Sequence, residues 1–402
     1  MKKVPELRFK EFNEEWKEEK LGDIGHFYKG KNISKEDLSN KGIECIRYGE
    51  LYTTYKEKID LVFNKTRLQL EKLFLSQKND ILIPSSGETA IDISTSSCIL
   101  KENVALGGDI TIIRTKNDGI FLAYYLNYLK KRDIAKLAQG ISIIHLYINH
   151  LKSLNLKLPS RKEQQKIALF LSSIDKKIEL TDKKLEFLEK YKKGLIQKLL
   201  TGKIRFPGFN DEWKEEKLGN FIKIQGGYAF KNKLFKEKGI PIIRISNLSI
   251  DGKYTNINNL VYYDKIENDN NFIIKRNDLL IAMSGATAGK VSVYNKKNIA
   301  YLNQRVGLFK LIKFDKLDYN YMTQYAFSNF FNNQLKSLLA TSAQPNISSK
   351  DIEKLKIKLS SLPEQQKIAS FLSAIDKKIE LIKSRLENLK GYKKGLLQKM
   401  FV

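Results

Sequence analysis

"EQQKIALFLSSIDKKIEL" occupies residues 163–180, and "EQQKIASFLSAIDKKIEL" occupies residues 364–381. Sixteen of the 18 positions are identical, at a separation of 201 residues. In each copy, apolar side chains recur alternately four and three positions apart. The first series is Ile167, Leu171, Ile174, Ile178, Thr181, Leu185, Leu188, Lys192, Leu195 and Leu199. The second is Ile368, Leu372, Ile375, Ile379, Ile382, Leu386, Leu389, Lys393, Leu396 and Met400. A repeat averaging 3.5 residues lays a narrow seam along a helix, and such a seam suits a helical partner better than a broad core does. Roughly 40 residues at 1.5 Å each make a rod of about 60 Å. The pattern predicts two long helices paired with each other, with Lys192 and Lys393 interrupting the seam at the same place in both and Thr181 an extra break in the first. Ser160 with Glu163 and Ser361 with Glu364 predict capping boxes at the helix starts. Pro363 is tolerated in a first turn. Away from the seam lie Gln164, Gln165, Lys176, Lys177 and Lys183, predicted to form a solvated face.

A second duplication precedes the first. LRFKEFNEEWKEEKLG at residues 7–22 and IRFPGFNDEWKEEKLG at residues 204–219 agree at 12 of 16 positions. Between the repeated segments the two halves diverge. DILIPSSGETAIDIS (80–94) and DLLIAMSGATAGKVS (278–292) share eight of 15 positions. Ile43, Ile46, Arg47 and Leu51 correspond to Ile240, Ile243, Arg244 and Leu248. Short β-rich runs separated by Gly, Asn and Asp turns, with helical patches at 121–131 and 321–339, predict a mixed α+β domain in each half. The expected boundaries are a first domain at 1–158, a long helix at 159–203, a second domain at 204–359 and a C-terminal helix at 360–402. Were a two-fold axis to relate the halves, the helices would form an antiparallel coiled coil, with the domains in inverted orientation.

The 402-residue chain carries 72 Lys and Arg against 45 Asp and Glu, a net charge of +27. A charge of that size draws polyanions at long range, and nucleic acid is the leading partner. Two cysteines, Cys45 and Cys98, build neither a disulfide framework nor a cysteine zinc site, which fits a reducing cytoplasm. MKKVPELRFKEF is no signal peptide, and no apolar run reaches membrane-spanning length.

Two similar but unlike basic domains on a spacer of fixed length suit an interrupted, asymmetric DNA site. Lysine and arginine would hold phosphates while loop side chains read base edges. In its motifs the chain resembles the specificity subunits of type I restriction-modification enzymes. The resemblance rests on W-K-x-x-K-L-G (16–22, 213–219), D-[IL]-L-I-x-x-S-G, the L-[PS]-S-x-x-E-Q-Q-K-I approach to each helix and the L-x-x-Y-K-K-G-L-[IL]-Q-K helix ending (188–198, 389–399), each present twice in the same order. The approach departs from the usual Pro-rich form, reading LPSRKEQ in one half and LSSLPEQ in the other.

The resemblance implies two target recognition domains that each bind half of a bipartite site in double-stranded DNA. It further implies helices that set the spacing and dock two methylation subunits, with restriction subunits added. No catalysis of the chain's own is expected. No cofactor is expected on this chain either; S-adenosylmethionine, ATP and Mg²⁺ belong to the partner subunits. Two other readings remain open: a coiled-coil tether whose charge serves solubility, and a free-standing nuclease or RNA-binding protein.

Motifs of independent chemistry fail. Residues 285–290 (GATAGK) have three rather than four residues between the glycines, and Val291 stands where a phosphate loop needs Ser or Thr. His145 and His150 lack the HExxH spacing. No Asn-Pro-Pro-aromatic methylase motif occurs.

The DNA-contact candidates are loop residues with hydrogen-bonding or cationic side chains. In the first domain they are Lys29, Arg47, Tyr48, Ser85, Ser86, Glu88, Thr89, Gln139, Ser142, His145 and Tyr147. In the second they are Tyr228, Lys231, Arg244, Asn247, Ser284, Thr287, Lys290, Gln304, Arg305, Thr341, Ser342, Gln344 and Asn346. Arg47 and Arg244 recur in both halves, which favours a structural or phosphate-binding role over discrimination.

Overall fold

The computed structural model describes residues 4–248, 253–340 and 346–401. The chain divides into two compact units. Unit 1 is Met1–Asp182 with Ser384–Val402, and unit 2 is Lys183–Lys383.

Unit 1 is built on a five-stranded sheet. Its strand order is Gly25–Lys29, Ile110–Thr115, Ile81–Pro84, Ser97–Ile99, Lys58–Ile59. Strand alternation sends Ile81, Ile83 and Ile113 to one face and Leu82, Ile110 and Ile112 to the other, and the two sets join different cores. The first core is closed by the helix Gly119–Tyr125 and by Ile167, Leu171 and Ile174 of the long helix Arg161–Leu199. The second is closed by Ile46 and Leu106 from the parallel pair Ile43–Ile46 and Ala105–Leu106. Both faces are therefore covered, which accounts for the run of apolar residues in ILIP and ITIIRT.

Unit 2 repeats the plan. The sheet order is Ile222–Gly226, Val306–Leu311, Leu279–Ala282, Val291–Val293. Leu279 and Ile281 face one core, Leu280 and Ala282 the other. A parallel pair, Ile240–Ile243 with Ala300–Leu302, again covers the second face. In each unit the lead-in motif supplies a strand, Lys17–Lys20 or Lys214–Lys217, that pairs antiparallel with the strand before a long helix, Asn155–Leu158 or Lys356–Leu359.

The long helices are Arg161–Leu199 and Leu362–Met400. They pair within each unit. In unit 1, Leu396 and Met400 enter the core that holds Ile167, Leu171 and Ile174. In unit 2, Glu189 meets Lys383 at 2.8 Å and Lys192 meets Asp376 at 2.5 Å, so the partner number falls as the helix number rises and the pairing is antiparallel. Leu188, Ile379 and Ile382, with Leu185 and Ile375 beside them, form a cluster made of the two helices alone.

Among the described residues, the two helices pack without a globular core only in this cluster. Ile167, Leu171 and Ile174, like Ile368 and Leu372, are buried against the globular cores as well. Ala168 and Ala369 widen the apolar face at these ends. Leu386 and Leu396 are buried, whereas Ile178, Leu195 and Leu389 are half-buried.

The capping boxes require correction. The Glu163 N–H donates to Ser160 Oγ at 3.4 Å, but the carboxylate does not turn back to the helix start. It accepts Arg8 Nε and Nη2, both at 2.8 Å. Glu364 likewise accepts Arg205 at 2.9 and 2.8 Å, and Trp213 Nε1 at 3.1 Å. A two-pronged ion pair with a buried carboxylate outcompetes a neutral backbone donor. Gln164 and Gln365 are also buried rather than solvated. Gln164 Oε1 accepts the Asp118 N–H at 2.9 Å, and Gln365 Oε1 accepts that of Asp318 at 3.0 Å. These aspartates cap the helices Gly119–Tyr125 and Tyr319–Ala326. The repeated Glu-Gln pair thus ties each long helix to its lead-in segment and to the next helix of the globule.

Candidate nucleic-acid interface

In unit 1 four loops are laced together by main-chain bonds. The Gly107 N–H donates to Ile46 O at 2.9 Å, fixing the loop that carries Arg47 and Tyr48. The Ser85 N–H donates to Asp109 O, and the Leu146 N–H to Ser85 O, at 2.8 and 2.9 Å. Ile144–His145 pairs with Ser86–Gly87. A Cβ on either Gly49 or Gly87 would stand 3.6 Å from the Tyr52 hydroxyl, so that ring joins the Tyr48 loop to the Ser86 hairpin. Arg47 and Tyr48 line a cleft of about 510 Å³ together with Asn32, Lys35 and Asp109.

Unit 2 carries the same lacing. Asn303 N–H donates to Ile243 O at 3.1 Å, Met283 N–H to Arg305 O at 2.9 Å, and Ile347 N–H to Met283 O at 2.8 Å. Ser284 bridges Asn346. The Gln304 N–H donates to Tyr228 O at 2.9 Å, adding Tyr228 to the group.

The sequence candidates sort by exposure. Lys29, Glu88, Gln139, Ser142, His145 and Tyr147 are exposed in unit 1, as are Tyr228, Lys231, Lys290, Gln304, Arg305 and Asn346 in unit 2. Tyr48 is exposed beside Arg47. Ser85, Ser86 and Asn247 are buried, against the expectation of exposed loop side chains. The Ser85 hydroxyl is bonded to that of Thr111 at 2.8 Å. Asn247 Oδ1 accepts the Arg244 N–H at 3.0 Å while its amide donates to Asn256 O at 3.2 Å, bracing the loop. Thr89 caps the helix Ala90–Ile93, accepting the Asp92 N–H at 3.1 Å. Arg47 and Arg244 are tethered: Arg47 Nε donates to Glu50 at 3.3 Å, and Arg244 Nη2 donates to Asn259 O at 3.2 Å. Ser284 and Thr287 are half-buried. Thr341, Ser342 and Gln344 lie outside the described residues.

Residues 285–290 form a closed turn. The N–H groups of Ala288, Gly289 and Lys290 are bonded to Gly285 O, Ala282 O and Thr287 O at 2.9, 2.8 and 3.0 Å, leaving them no phosphate to cradle. Lys290 also lines a cleft of about 710 Å³ in unit 2 whose other cations are Lys192, Lys193, Lys253, Lys336 and Lys383, against the acids Glu189, Asp376 and Glu380. Among the described residues no cluster of His, Cys, Asp and Glu fits a metal ion. No described helix is long and apolar enough to cross a membrane.

Two exposed residues of these loops lie outside the sequence candidates: Asp109, whose carbonyl accepts the Ser85 N–H, and Ile141, which is 99% exposed at the tip of the hairpin closed by Gln139 and His145. The available signal for Asp109 was positional: it directly precedes the strand ITIIRT, as Arg305 precedes VGLFKL.

The profile of the type I restriction modification DNA specificity domain matches residues 13–190 and again residues 210–391. The MjaVIII type I restriction enzyme specificity subunit of Methanocaldococcus jannaschii is 28% identical over 416 residues, covering 98% of this chain and 94% of the relative. The EcoKI specificity subunit of Escherichia coli K12 is 21% identical over 387 residues, covering 89% and 81%. Among solved structures, the S subunit of a type I system from M. genitalium superposes with a TM-score of 0.68 at 18% identity, over 99% of both chains. Two profile matches spanning most of the sequence, on two units with one strand plan, give the conclusion: the chain belongs to the type I restriction-modification specificity subunits and carries two target recognition domains.

Proposed function

We propose that each unit reads one half of an asymmetric, interrupted site in double-stranded DNA. The paired helices would set the number of unread base pairs between the halves. The observation that carries this reading is the cradle built twice with the same main-chain bonds and different exposed side chains. One framework with two surfaces is what a two-part recognition code requires. Exposed cations, including Lys29, Lys231 and Lys290, and the lysine-lined cleft of unit 2 would contact phosphates.

Methylation subunits would dock on the outer faces of the long helices. Phe187 and Tyr191 are exposed there and stacked, with ring centroids 6.1 Å apart and planes at 7°. Tyr and Phe are enriched at protein interfaces. S-adenosylmethionine, ATP and Mg²⁺ would be held by the methylation and restriction subunits, this chain contributing recognition without catalysis.

The test is binding of the chain, assembled with its methylation subunits, to a duplex library. Selection of one interrupted sequence with strongly salt-dependent affinity supports the reading. Equal binding to all sequences favours a tether instead, and DNA cleavage by the purified chain with Mg²⁺ favours a nuclease.

A further inference from the structure

We infer that Asp109 and Arg305 hold the same position in the two cradles and read different base pairs from it. The inference rests on the reading of each unit as the recogniser of one half-site. The equivalence is set by backbone geometry. Asp109 directly precedes the strand Ile110–Thr115, and Arg305 directly precedes Val306–Leu311. Each carbonyl accepts the N–H of the residue that follows the neighbouring strand, Ser85 at 2.8 Å and Met283 at 2.9 Å. The turn is closed alike in both, Ile110 N–H to Gly107 O at 3.2 Å and Val306 N–H to Asn303 O at 2.9 Å. Both side chains are exposed, and neither has a hydrogen-bond or ion-pair partner among the described residues.

A phosphate contact explains Arg305 alone. It does not explain a carboxylate at the same place, because a carboxylate facing phosphate is repelled. In a chain of net charge +27 that binds a polyanion, an exposed acid on a cradle loop lowers the general attraction. It is justified by a donor to accept from. In the major groove that donor is an exocyclic amine, and aspartate pairs with cytosine N4, whereas arginine donates two bonds to guanine O6 and N7. The assignment is therefore cytosine opposite Asp109 and guanine opposite Arg305, one letter in each half-site.

The experiment selects duplexes from a library randomised across both half-sites, using the full chain assembled with its methylation subunits. Wild type is compared with Asp109→Asn, Asp109→Arg and Arg305→Ala. These substitutions leave the main-chain carbonyls in place, and unchanged thermal midpoints check that the fold is kept. Asp109→Asn is expected to relax one cytosine by about tenfold or more, and Asp109→Arg to replace that cytosine with guanine. Arg305→Ala is expected to relax one guanine in the other half-site only.

Uniform weakening on every sequence, with the salt slope reduced by about one, marks a phosphate contact and overturns the assignment of Arg305. A wild type that selects an interrupted site while the variants keep every letter overturns the assignment alone. A wild type that selects no sequence overturns the half-site reading and this inference with it.

Discussion

In unit 1 the Lys393 ammonium lies 2.7 Å from Asp175 and 3.8 Å from Glu57. In unit 2 the Asp376 carboxylate lies 2.5 Å from Lys192 and 2.6 Å from Lys253. The helix partners are copies of one another, since Lys192 and Asp175 recur 201 residues later as Lys393 and Asp376. The third member comes from the globular part and differs in sign. One cluster is a cation between two acids, and the other is an acid between two cations. Each also recruits the neighbouring helix, Tyr124 OH to Asp175 at 2.5 Å and Gln324 Nε2 to Asp376 at 2.8 Å.

The comparison separates what the duplication kept from what it let drift. The Lys–Asp pair joins the two helices of an antiparallel pair, and setting register is the best-attested use of a buried polar group in a seam. The globule contributes an acid, Glu57, in unit 1 and a cation, Lys253, in unit 2. The polar interruptions at Lys192 and Lys393 are therefore ion pairs across the helix pair rather than gaps in it.

The unequal clusters make unequal demands on their carboxylates. Asp376→Ala leaves Lys192 and Lys253 facing each other at a site where Lys192 is 13% exposed. Removing one partner of a buried pair costs about 3–5 kcal/mol, the largest effect expected in the molecule and readable as a drop in urea midpoint. Asp175→Ala leaves Lys393 with Glu57, and Asp175 is 27% exposed. The cost should fall to about 1.5–3 kcal/mol, that of a hydrogen bond to a charged group. Equal losses would mean that the third member contributes nothing.

Acid should sharpen the same contrast. Burial works against ionisation of Asp376, but Lys192 and Lys253 outweigh it and hold the carboxyl below the usual range. A depressed carboxyl adds stability that is complete above roughly pH 4, the unfolded value. That stability is lost as the pH falls through the lower folded value. Thermal midpoints recorded from pH 5 to pH 2 should fall more steeply for wild type than for Asp376→Asn. Parallel curves would remove the electrostatic account of this cluster.

A smaller effect concerns the two lead-in segments. Among the described residues Arg8 alone holds Glu163 by side-chain bonds, whereas Arg205 shares Glu364 with Trp213 Nε1. The Trp16 Nε1 is buried with no hydrogen-bond partner among the described residues. Arg8→Ala should therefore speed proteolytic cutting of the first lead-in segment more than Arg205→Ala speeds that of the second. The reverse order would break the asymmetry.

Much of the scaffold was legible because repetition reports it directly. The paired helices follow from a heptad seam written twice, and the double globule from two lead-in motifs. The buried ends of the seam were misread because Ala168 and Ala369 widen the face only once a globule is packed there. Glu163 and Glu364 fit a local capping rule. Their Arg8 and Arg205 partners lie 155 and 159 residues away, beyond any local pattern. The interface was less legible still. Ser85, Ser86 and Asn247 have the chemistry of base readers but point into the framework. Asp109 has the sign opposite to the one expected of a DNA contact, and its equivalence to Arg305 lies in long-range main-chain bonds that no local sequence pattern records.

The most direct test of the central claim replaces residues 204–359 with the corresponding segment of a different specificity subunit and maps methylated adenines in cells expressing the chimera. One half of the recognised site is expected to change, while the other half keeps its letters and its adenine. A change in both halves, or in neither, would contradict two independent readers on one framework.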